Sequence, residues 1–213
     1  MMDADTKTKI LDAAEELFAK HGLDATSLRQ ITASAGVNLA AVNYYFGTKD
    51  ELVRAVLSRR ITAINQKRLL MLEAAEAASQ GEAPPLRAVL EAFYAPAMEL
   101  WRLPGRHFQP LLGRIFSEPS PARDFLLEEM APVVARFGAV LRRILPHLPD
   151  QEYFWRMHFM AAILAFTMAG SDVLHKLSGG RCDLSNVEDI TLRMVDFAAA
   201  GLKAPVTHKG LHL

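Results

Sequence analysis

A run of hydrogen-bonding side chains between residues 38 and 49 carries the residue types best suited to chemistry in this sequence. Asn38, Asn43, Tyr44 and Tyr45 bring amide and phenol groups, and Lys49 adds a positive charge. An asparagine amide can pair with the edge of an adenine in the major groove, whereas phenol and ammonium groups bond phosphate oxygens. These residue types at this close spacing predict contacts with double-stranded DNA.

Two short helices around a tight turn are predicted to position these side chains. Leu28 and Ile31 lie on one apolar face at helical spacing, and Gly36 supplies a turn position that tolerates a positive φ. Asn38 is a good N-cap for a second helix over residues 39 to about 45, whose first backbone N–H groups then remain free. The pattern is that of a helix-turn-helix, in which the second helix enters the major groove of DNA.

The stretch Ala35–Leu52 resembles, without a gap, the DNA-binding half of the TetR family of bacterial transcription regulators. That family carries a pattern like Ala-Gly-Val-Ser-x-Gly-Thr-Leu-Tyr-x-Tyr-Phe-x-Ser-Lys-x-x-Leu, and Ile10–Phe18 with Gly22 is similar to its first helix and the end of that helix. The resemblance implies an all-α, TetR-like fold. In such a fold an N-terminal three-helix helix-turn-helix domain is followed by a helical domain for ligand binding and dimerisation.

Three positions depart from the family pattern. Asn43 stands where the family has Tyr, and Ala40 and Ala41 stand where it has Gly and Thr. A hydroxyl that would position the phosphate backbone is lost at position 43, and the asparagine gained there suits direct base readout. Lys49 matches the family's phosphate-binding lysine, although the tyrosines and this lysine also fit ordinary packing and solvation. The predicted DNA contacts are Thr26, Ser27, Arg29, Asn38, Leu39, Ala41, Asn43, Tyr44, Tyr45 and Lys49.

Composition and charge fit a DNA-binding protein of this kind. The chain has 213 residues, of which 51% are hydrophobic, and its formal net charge is zero. Between Thr26 and Arg60 five basic side chains stand against two acidic ones, so the positive field is local. The single cysteine, Cys182, fits a reducing compartment. The sequence shows neither the pattern of a secretory signal peptide nor the ~20 consecutive apolar residues of a membrane-spanning helix. We expect a soluble, cytoplasmic protein with no membrane partner.

Beyond the first fifty residues the chain reads as helices separated by proline and glycine. No segment alternates with period two for long enough to be a strand. One helix is predicted over residues 48 to about 78 and another over about 122 to 145. We expect a DNA-binding domain over residues 1–50, an effector-binding and dimerisation domain over 51–205, and a tail over 206–213.

The last two predicted helices supply a surface for dimerisation. Asp150 can cap a helix over residues 151 to about 176, and Ser185–Glu188 reads as a capping box for a final helix that ends near Ala200. The first of these helices is apolar almost all round, so a core on one side cannot cover it. Two such helices from each subunit would form a four-helix homodimer interface, as TetR-type proteins pair, and a twofold dimer predicts a palindromic operator. A helix buried inside a monomer is the alternative.

Aromatic and methionine side chains gather beyond residue 90, where they fit either an ordinary core or the walls of a pocket for an apolar ligand. Asn38–Tyr44 and Phe154–Met160 are similar to the corresponding segments of PsrA-like regulators, and this resemblance implies a fatty acid or acyl-CoA effector. Other hydrophobic compounds, such as drugs or aromatics, are the alternative. The predicted ligand contacts are Phe93, Met98, Trp101, His107, Phe108, Arg114, Phe116, Phe125, Trp155, Arg156, His158 and Phe159.

A charged end on such an effector would need a cationic or hydrogen-bond-donating partner in the protein. His107, Arg114, Arg156 and His158 are the candidates, and their spacing does not choose among them. Arg156 equally fits an ion pair with Glu152, one helical turn earlier.

Catalysis finds little support in the sequence. The histidines are scattered and only one cysteine is present, so no metal-ligand spacing is recognisable. The chain also lacks a phosphate-cradling glycine loop and a nucleophile motif. We therefore predict a dimeric DNA-binding regulator, acting as a repressor, without metal or cofactor. The rival interpretations are an all-α enzyme and a helical adaptor, which would show no salt-dependent affinity for DNA.

Overall fold

The computed structural model describes residues 2–102, 108–117, 119–169, 171–182 and 185–207, and over these residues the protein is all-α, as predicted. A short 3-10 turn over Glu99–Arg102 follows the fifth helix. The helices of the described residues are α1 (Met2–His21), α2 (Leu28–Ala35), α3 (Leu39–Phe46), α4 (Lys49–Ala78), α5 (Leu86–Met98), α6 (Phe108–Ser117), α7 (Pro121–Ile144), α8 (Asp150–Ala169), α9 (Ser171–Leu177) and α10 (Val187–Lys203).

The chain divides into two compact units, each made of two segments. Unit 1 comprises Met1–Ile64 and Leu103–Ala131, and unit 2 comprises Asn65–Arg102 and Pro132–Leu213. Two of the three boundaries, after Ile64 and after Ala131, fall inside a helix, so α4 and α7 each contribute residues to both units. Unit 1 therefore contains α6 and the first part of α7 in addition to the helix-turn-helix.

In unit 1, α1 packs against α2, α3 and α6, and its residues Ile10 and Phe18 are fully buried. Glu15 of α1 is buried as well. Its carboxylate accepts hydrogen bonds from Arg59 Nη2 at 2.6 Å and from Arg60 Nε and Nη2 at 3.0 Å. The two guanidinium groups compensate the buried negative charge and hold α1 against α4.

In unit 2, α10 packs chiefly against α5 and also against α8. The Tyr94 hydroxyl of α5 donates to the Met160 carbonyl of α8 at 2.9 Å, and burial raises the pKa of this tyrosine. The Tyr153 hydroxyl of α8 donates to the Gly138 carbonyl of α7 at 2.7 Å. Buried polar bonds of this kind fix how neighbouring helices are aligned as well as how far apart they lie.

Both predicted boundaries of the final helix are wrong. Asn186, and not Ser185, is its N-cap, because the Asn186 side chain accepts from the Asp189 N–H at 3.0 Å. The helix also continues through Gly201. The next side chain, Leu202, is buried, and tertiary packing of this kind outweighs the poor helix propensity of a single glycine.

The single helix predicted over residues 151–176 is divided in the structure. It comprises α8 and α9, and Gly170 between them lies outside the described residues. Asp150 is the first residue of α8, and its carboxylate pairs with Arg142 Nη2 at 2.6 Å. None of the described helices combines the length and the apolar character needed to cross a lipid bilayer.

Candidate nucleic-acid interface

The helix-turn-helix consists of α2, the turn after it and α3. Ser27 caps α2: its Oγ accepts from the Gln30 N–H at 3.3 Å, and the Gln30 side chain accepts from the Ser27 N–H at 2.7 Å. Gly36 follows α2 in the left-handed region, at φ +66°, as the turn prediction requires. Ile31 of α2 and Val42 of α3 are fully buried, and the two helices pack on each other.

The N-terminus of α3 is capped as predicted. Asn38 Oδ1 accepts from the Ala41 N–H at 2.9 Å. Beyond this cap Leu39, Asn43 and Tyr44 are exposed, and 77% of Tyr44 is accessible. The exposed face of α3 therefore carries an amide and a phenol, next to the backbone N–H groups of its first turn.

The other side chains of α3 are less accessible. Ala41 and Tyr45 are half-buried, and Phe46 is buried in unit 1. The rings of Tyr44 and Tyr45 meet edge to face, with their centres 5.1 Å apart. This contact restricts the exposed Tyr44 ring to a smaller range of orientations.

A second capping motif joins α3 to α4 and positions Lys49. The Thr48 N–H donates to Glu51 Oε2 at 2.8 Å, and the Glu51 N–H donates to Thr48 Oγ1 at 3.2 Å. Gly47 precedes them at φ +69°, where an added Cβ would lie 2.5 Å from Glu51 Oε2. Lys49 Nζ donates to the Asp24 carbonyl at 3.3 Å, which holds the ammonium group beside the loop before α2.

Two of the predicted DNA contacts use their hydroxyl groups within the fold. Thr26 is buried, and its Oγ1 donates to the carbonyls of Leu17 at 3.1 Å and Gly22 at 2.8 Å. Ser27 uses its hydroxyl to cap α2, whereas Arg29 is exposed. The Thr26 side chain thus closes the end of α1, and a DNA contact at this position would have to come from the backbone.

The predicted ligand contacts are divided between the two units. Phe108 is buried and Phe125 is half-buried in unit 1. Phe93 and Met98 are buried in unit 2, where the Phe93 ring packs edge-on against Phe137 with 5.5 Å between the ring centres. His107 lies outside the described residues, as do the side chains of Trp101, Arg114 and Phe116.

Three predicted ligand contacts, Trp155, His158 and Phe159, lie on the exposed face of α8 and do not line a core of this chain. The Trp155 and Phe159 rings stack with their centres 5.7 Å apart and their planes at 24°. His158 packs edge-on against both rings. Their exposure suits a surface covered by another molecule better than the wall of an internal pocket.

Arg156, a predicted head-group partner, has a structural role. It is buried, and its Nε pairs with Glu152 at 2.6 Å, so the ion pair that the spacing allowed is confirmed. Its Nη1 donates to the carbonyls of Leu202 at 2.8 Å and Ala204 at 2.7 Å. The guanidinium therefore satisfies the end of α10, and Glu152 already serves as its counter-ion.

A second buried cation, Arg68 of α4, is absent from the predicted site residues. Only 2% of it is exposed, and burial lowers the pKa of its guanidinium to about 10. Its Nε donates to the Phe93 carbonyl at 2.9 Å and its Nη1 to Asn65 Oδ1 at 3.3 Å. The sequence does indicate that Arg68 is buried, because it lies four residues from each of the apolar residues Ile64 and Leu72, which are both buried.

An apolar surface, named here the α8–α10 face, remains exposed in unit 2. A groove of about 200 Å³ lies between the two helices and is lined by residues that include Phe159, Ile163 and Phe197. Other apolar side chains of α10, such as Met194 and Val195, are buried within their own chain and are not available to a partner. The large exposed side chains of this face are Trp155, Phe159, Phe166 and Phe197, whereas Phe154 is exposed elsewhere on α8 and Leu192 of α10 lines a separate groove.

Known proteins with similar sequences share the helix-turn-helix region. Residues 10–56 match the family of bacterial regulatory proteins, tetR family, and residues 91–201 match the tetracyclin repressor-like C-terminal domain. An HTH-type transcriptional repressor of Mycobacterium tuberculosis is 51% identical over 65 residues, which are 30% of this chain and 34% of that protein. The HTH-type transcriptional regulator TtgR of Pseudomonas putida is 42% identical over 53 residues, 25% of each chain. The matches thus span about a third or less of the length of these curated relatives.

Solved structures extend the similarity to the whole fold. HlyIIR, a hemolysin II transcriptional regulator, superposes with a TM-score of 0.63 at 16% identity, over 92% of this chain and 97% of that one. The TetR family regulator PfmR of Thermus thermophilus gives 0.62 at 17% identity, over 94% and 96%. Because the C-terminal domain match alone covers more than half of the chain, the protein belongs to the tetR family of bacterial regulatory proteins, which are DNA-binding transcriptional regulators and not enzymes.

Proposed function

We propose that the protein is a homodimeric repressor that binds a palindromic operator and responds to an apolar small molecule. The observation that carries the proposal is the exposed face of α3, with Asn43 and Tyr44 accessible behind a capped N-terminus. In this arrangement α3 enters the major groove, Asn43 reads a base edge and Tyr44 reaches the phosphate backbone. Lys49, held beside the loop before α2, adds a phosphate contact that does not depend on sequence.

The α8–α10 face is the proposed dimer interface. Soluble monomers rarely expose so many large aromatic side chains on one surface, because each leaves apolar area in water. Phe159 and Phe197 line the groove between the two helices, so the same helices of a second copy could fill it. A twofold homodimer presents two α3 helices to successive major grooves, about 34 Å apart.

The proposed effector binds in unit 2, where aromatic side chains such as Phe93 and Phe137 pack edge-on. The resemblance to PsrA-like regulators favours a fatty acid or acyl-CoA, and drugs or other aromatic compounds are the alternative. α4 contributes residues to both units, so a ligand that shifts α4 in unit 2 also acts on the helix whose first residue is Lys49. A coupling of about 1–3 kcal/mol would change operator affinity roughly 5- to 150-fold.

Fluorescence anisotropy with DNA tests operator binding. Selection from a pool of random duplexes first yields a preferred sequence, and affinity is then measured at several salt concentrations. We expect a symmetric consensus and a log–log salt dependence with a negative slope. Lys49→Ala is expected to weaken binding and reduce that slope, whereas Lys203→Ala, which removes an exposed lysine of α10, serves as the control. An affinity for DNA that does not depend on salt would contradict the proposal.

The effector is tested on the same complex. Fatty acids of several chain lengths and their coenzyme A thioesters are titrated into the protein–operator complex. We expect at least one of them to change operator affinity within the range given above. If neither the acids nor the thioesters change it while an aromatic compound does, the lipid part of the proposal is wrong and the alternative effector class is favoured.

A further inference from the structure

We propose that Arg68 binds the negatively charged end of an amphiphilic effector, a carboxylate or a phosphate monoester carried on an apolar body. This inference rests on the proposed function, because it requires that the protein respond to a small molecule. The observation behind it is a buried cation without an anionic partner: among the described residues, no carboxylate forms an ion pair with Arg68.

The known neighbours of Arg68 compensate its charge only in part. Both of its hydrogen-bond acceptors are neutral, and a guanidinium has more N–H groups than these two bonds use. The Arg68 Cζ lies 4.5 Å from the centre of the Phe93 ring, and this cation–π contact offsets some of the lost hydration. The other buried charged side chains in the described ranges, Glu15 and Arg156, each have a counter-ion. A buried charge that lacks one is costly, and an anionic ligand would remove that cost.

The surroundings of Arg68 also define the class of ligand. A guanidinium matches carboxylate and phosphate groups because its N–H groups form a planar fork that can donate two parallel bonds. The adjoining Phe93 ring suits an apolar chain next to the charged end. The open groove of about 260 Å³ elsewhere in unit 2 suits an anion less well, because Glu91, Glu99 and Glu188 line it.

Burial of Arg68 links binding to a change in the protein. With 2% of the residue exposed, an anion can pair with the guanidinium only in a state in which neighbouring side chains of unit 2 have moved. Such a ligand has higher affinity for the opened state than for the closed one. That difference in affinity is the requirement for a ligand to shift a conformational equilibrium.

A purely structural role for Arg68 leads to a different expectation. Pro96 lies inside α5 and lacks an N–H, so the carbonyl of Ala92, four residues earlier, loses its helical donor. The Arg68 Nε donates to the next carbonyl, that of Phe93, and so ties this turn of α5 to α4. If this were its whole role, replacing Arg68 would lower stability and leave ligand preference unchanged.

Isothermal titration calorimetry of the full chain without DNA separates the two roles. The probes are decanoate, decyl phosphate and 1-decanol, which share one chain length and differ in the head group. We expect the wild type to bind one of the anions at least about tenfold more tightly than the alcohol, since hydrogen bonds to charged groups are stronger than neutral ones. The stronger of the two anions then distinguishes a carboxylate ligand from a phosphate ligand.

Three variants complete the measurement. Arg68→Met keeps the length of the side chain without its charge and is expected to bind the three probes alike. Arg68→Lys keeps the charge without the fork and is expected to retain an intermediate preference. Arg193→Met removes an exposed cation of α10 and is expected to behave as the wild type.

A second measurement covers the case in which Arg68→Met does not fold. The Arg68 Nε–H is buried and hydrogen-bonded, so its ¹⁵N-edited NMR signal should shift with the anion and not with 1-decanol. The inference is overturned if the wild type binds no probe, if it binds 1-decanol as tightly as both anions, or if Arg68→Met keeps the preference. Operator binding by the same samples without ligand is measured in parallel. If it persists alongside any of these results, only the anion site is rejected and the DNA-binding function stands.

Discussion

Replacing Phe159 of α8 with alanine is expected to weaken the proposed homodimer while leaving the fold of each chain intact. The residue is 57% exposed in the single chain, and a phenylalanine can bury roughly 200 Å². An interface that covers this exposed part of the ring removes roughly 110 Å² of apolar surface from water. That burial is worth about 3 kcal/mol per ring at ~25 cal/mol per Å². Alanine retains its Cβ and covering is seldom complete, so we expect a loss of about 2 kcal/mol per ring.

Twofold symmetry places this ring in the interface twice. The combined loss of about 4 kcal/mol corresponds to a roughly thousandfold weaker dimer. Sedimentation equilibrium over a wide range of protein concentration measures that constant directly. Leu70→Ala is the control, because Leu70 is 65% exposed on α4 and lies outside the α8–α10 face. Equal dimerisation constants for the two variants would refute the assignment of this face as the interface.

Three further outcomes are expected. Asn43→Ala should cost ~1–3 kcal/mol on the preferred operator and relax base preference at one position per half-site, whereas Lys49→Ala should weaken all sequences alike; affinities for a set of single-base operator variants test both. Arg156→Met should lower the free energy of unfolding by about 3 kcal/mol in urea melts, because two carbonyls and a carboxylate lose their donor, and should leave effector affinity unchanged. The free energy of unfolding should fall as the pH rises above about 10, because Tyr94 ionises in the unfolded chain while the buried Tyr94 of the folded protein keeps its proton. Tyr94→Phe should make that fall less steep in melts recorded across the alkaline range.

The local features of the helix-turn-helix could be predicted because they depend on residues a few positions apart. The cap at Asn38 involves only the N–H of the residue three positions later. The turn at Gly36 depends only on the ability of that glycine to adopt a positive φ. The start of α10 was harder, because Ser185 and Asn186 are both good caps and the sequence does not decide between them. Its end was missed for another reason: the helix passes Gly201 where tertiary packing buries the next side chain.

The roles of the buried arginines could not be predicted from spacing. Arg156 was recognised as a partner for Glu152, yet its bonds to the Leu202 and Ala204 carbonyls join residues more than forty positions apart. Arg68 reaches the Phe93 carbonyl across a separation of 25 residues. Helical periodicity indicates which side of a helix is buried, but not which carbonyl another helix brings to that side.

The division of α4 and α7 between the units affects how DNA specificity could be exchanged between relatives. A fusion that swaps only residues 1–50 would set a foreign α1 against the native α6, because α6 belongs to unit 1 and packs on α1. A chimaeric regulator would need both segments of unit 1, with junctions after Ile64, after Arg102 and after Ala131. The first and the third junctions lie within α4 and α7, so a single inserted or deleted residue there would rotate the following turns by about 100°. Recombination of this protein therefore requires three junctions, two of them made in helical phase, where a linker between the units would have needed only one.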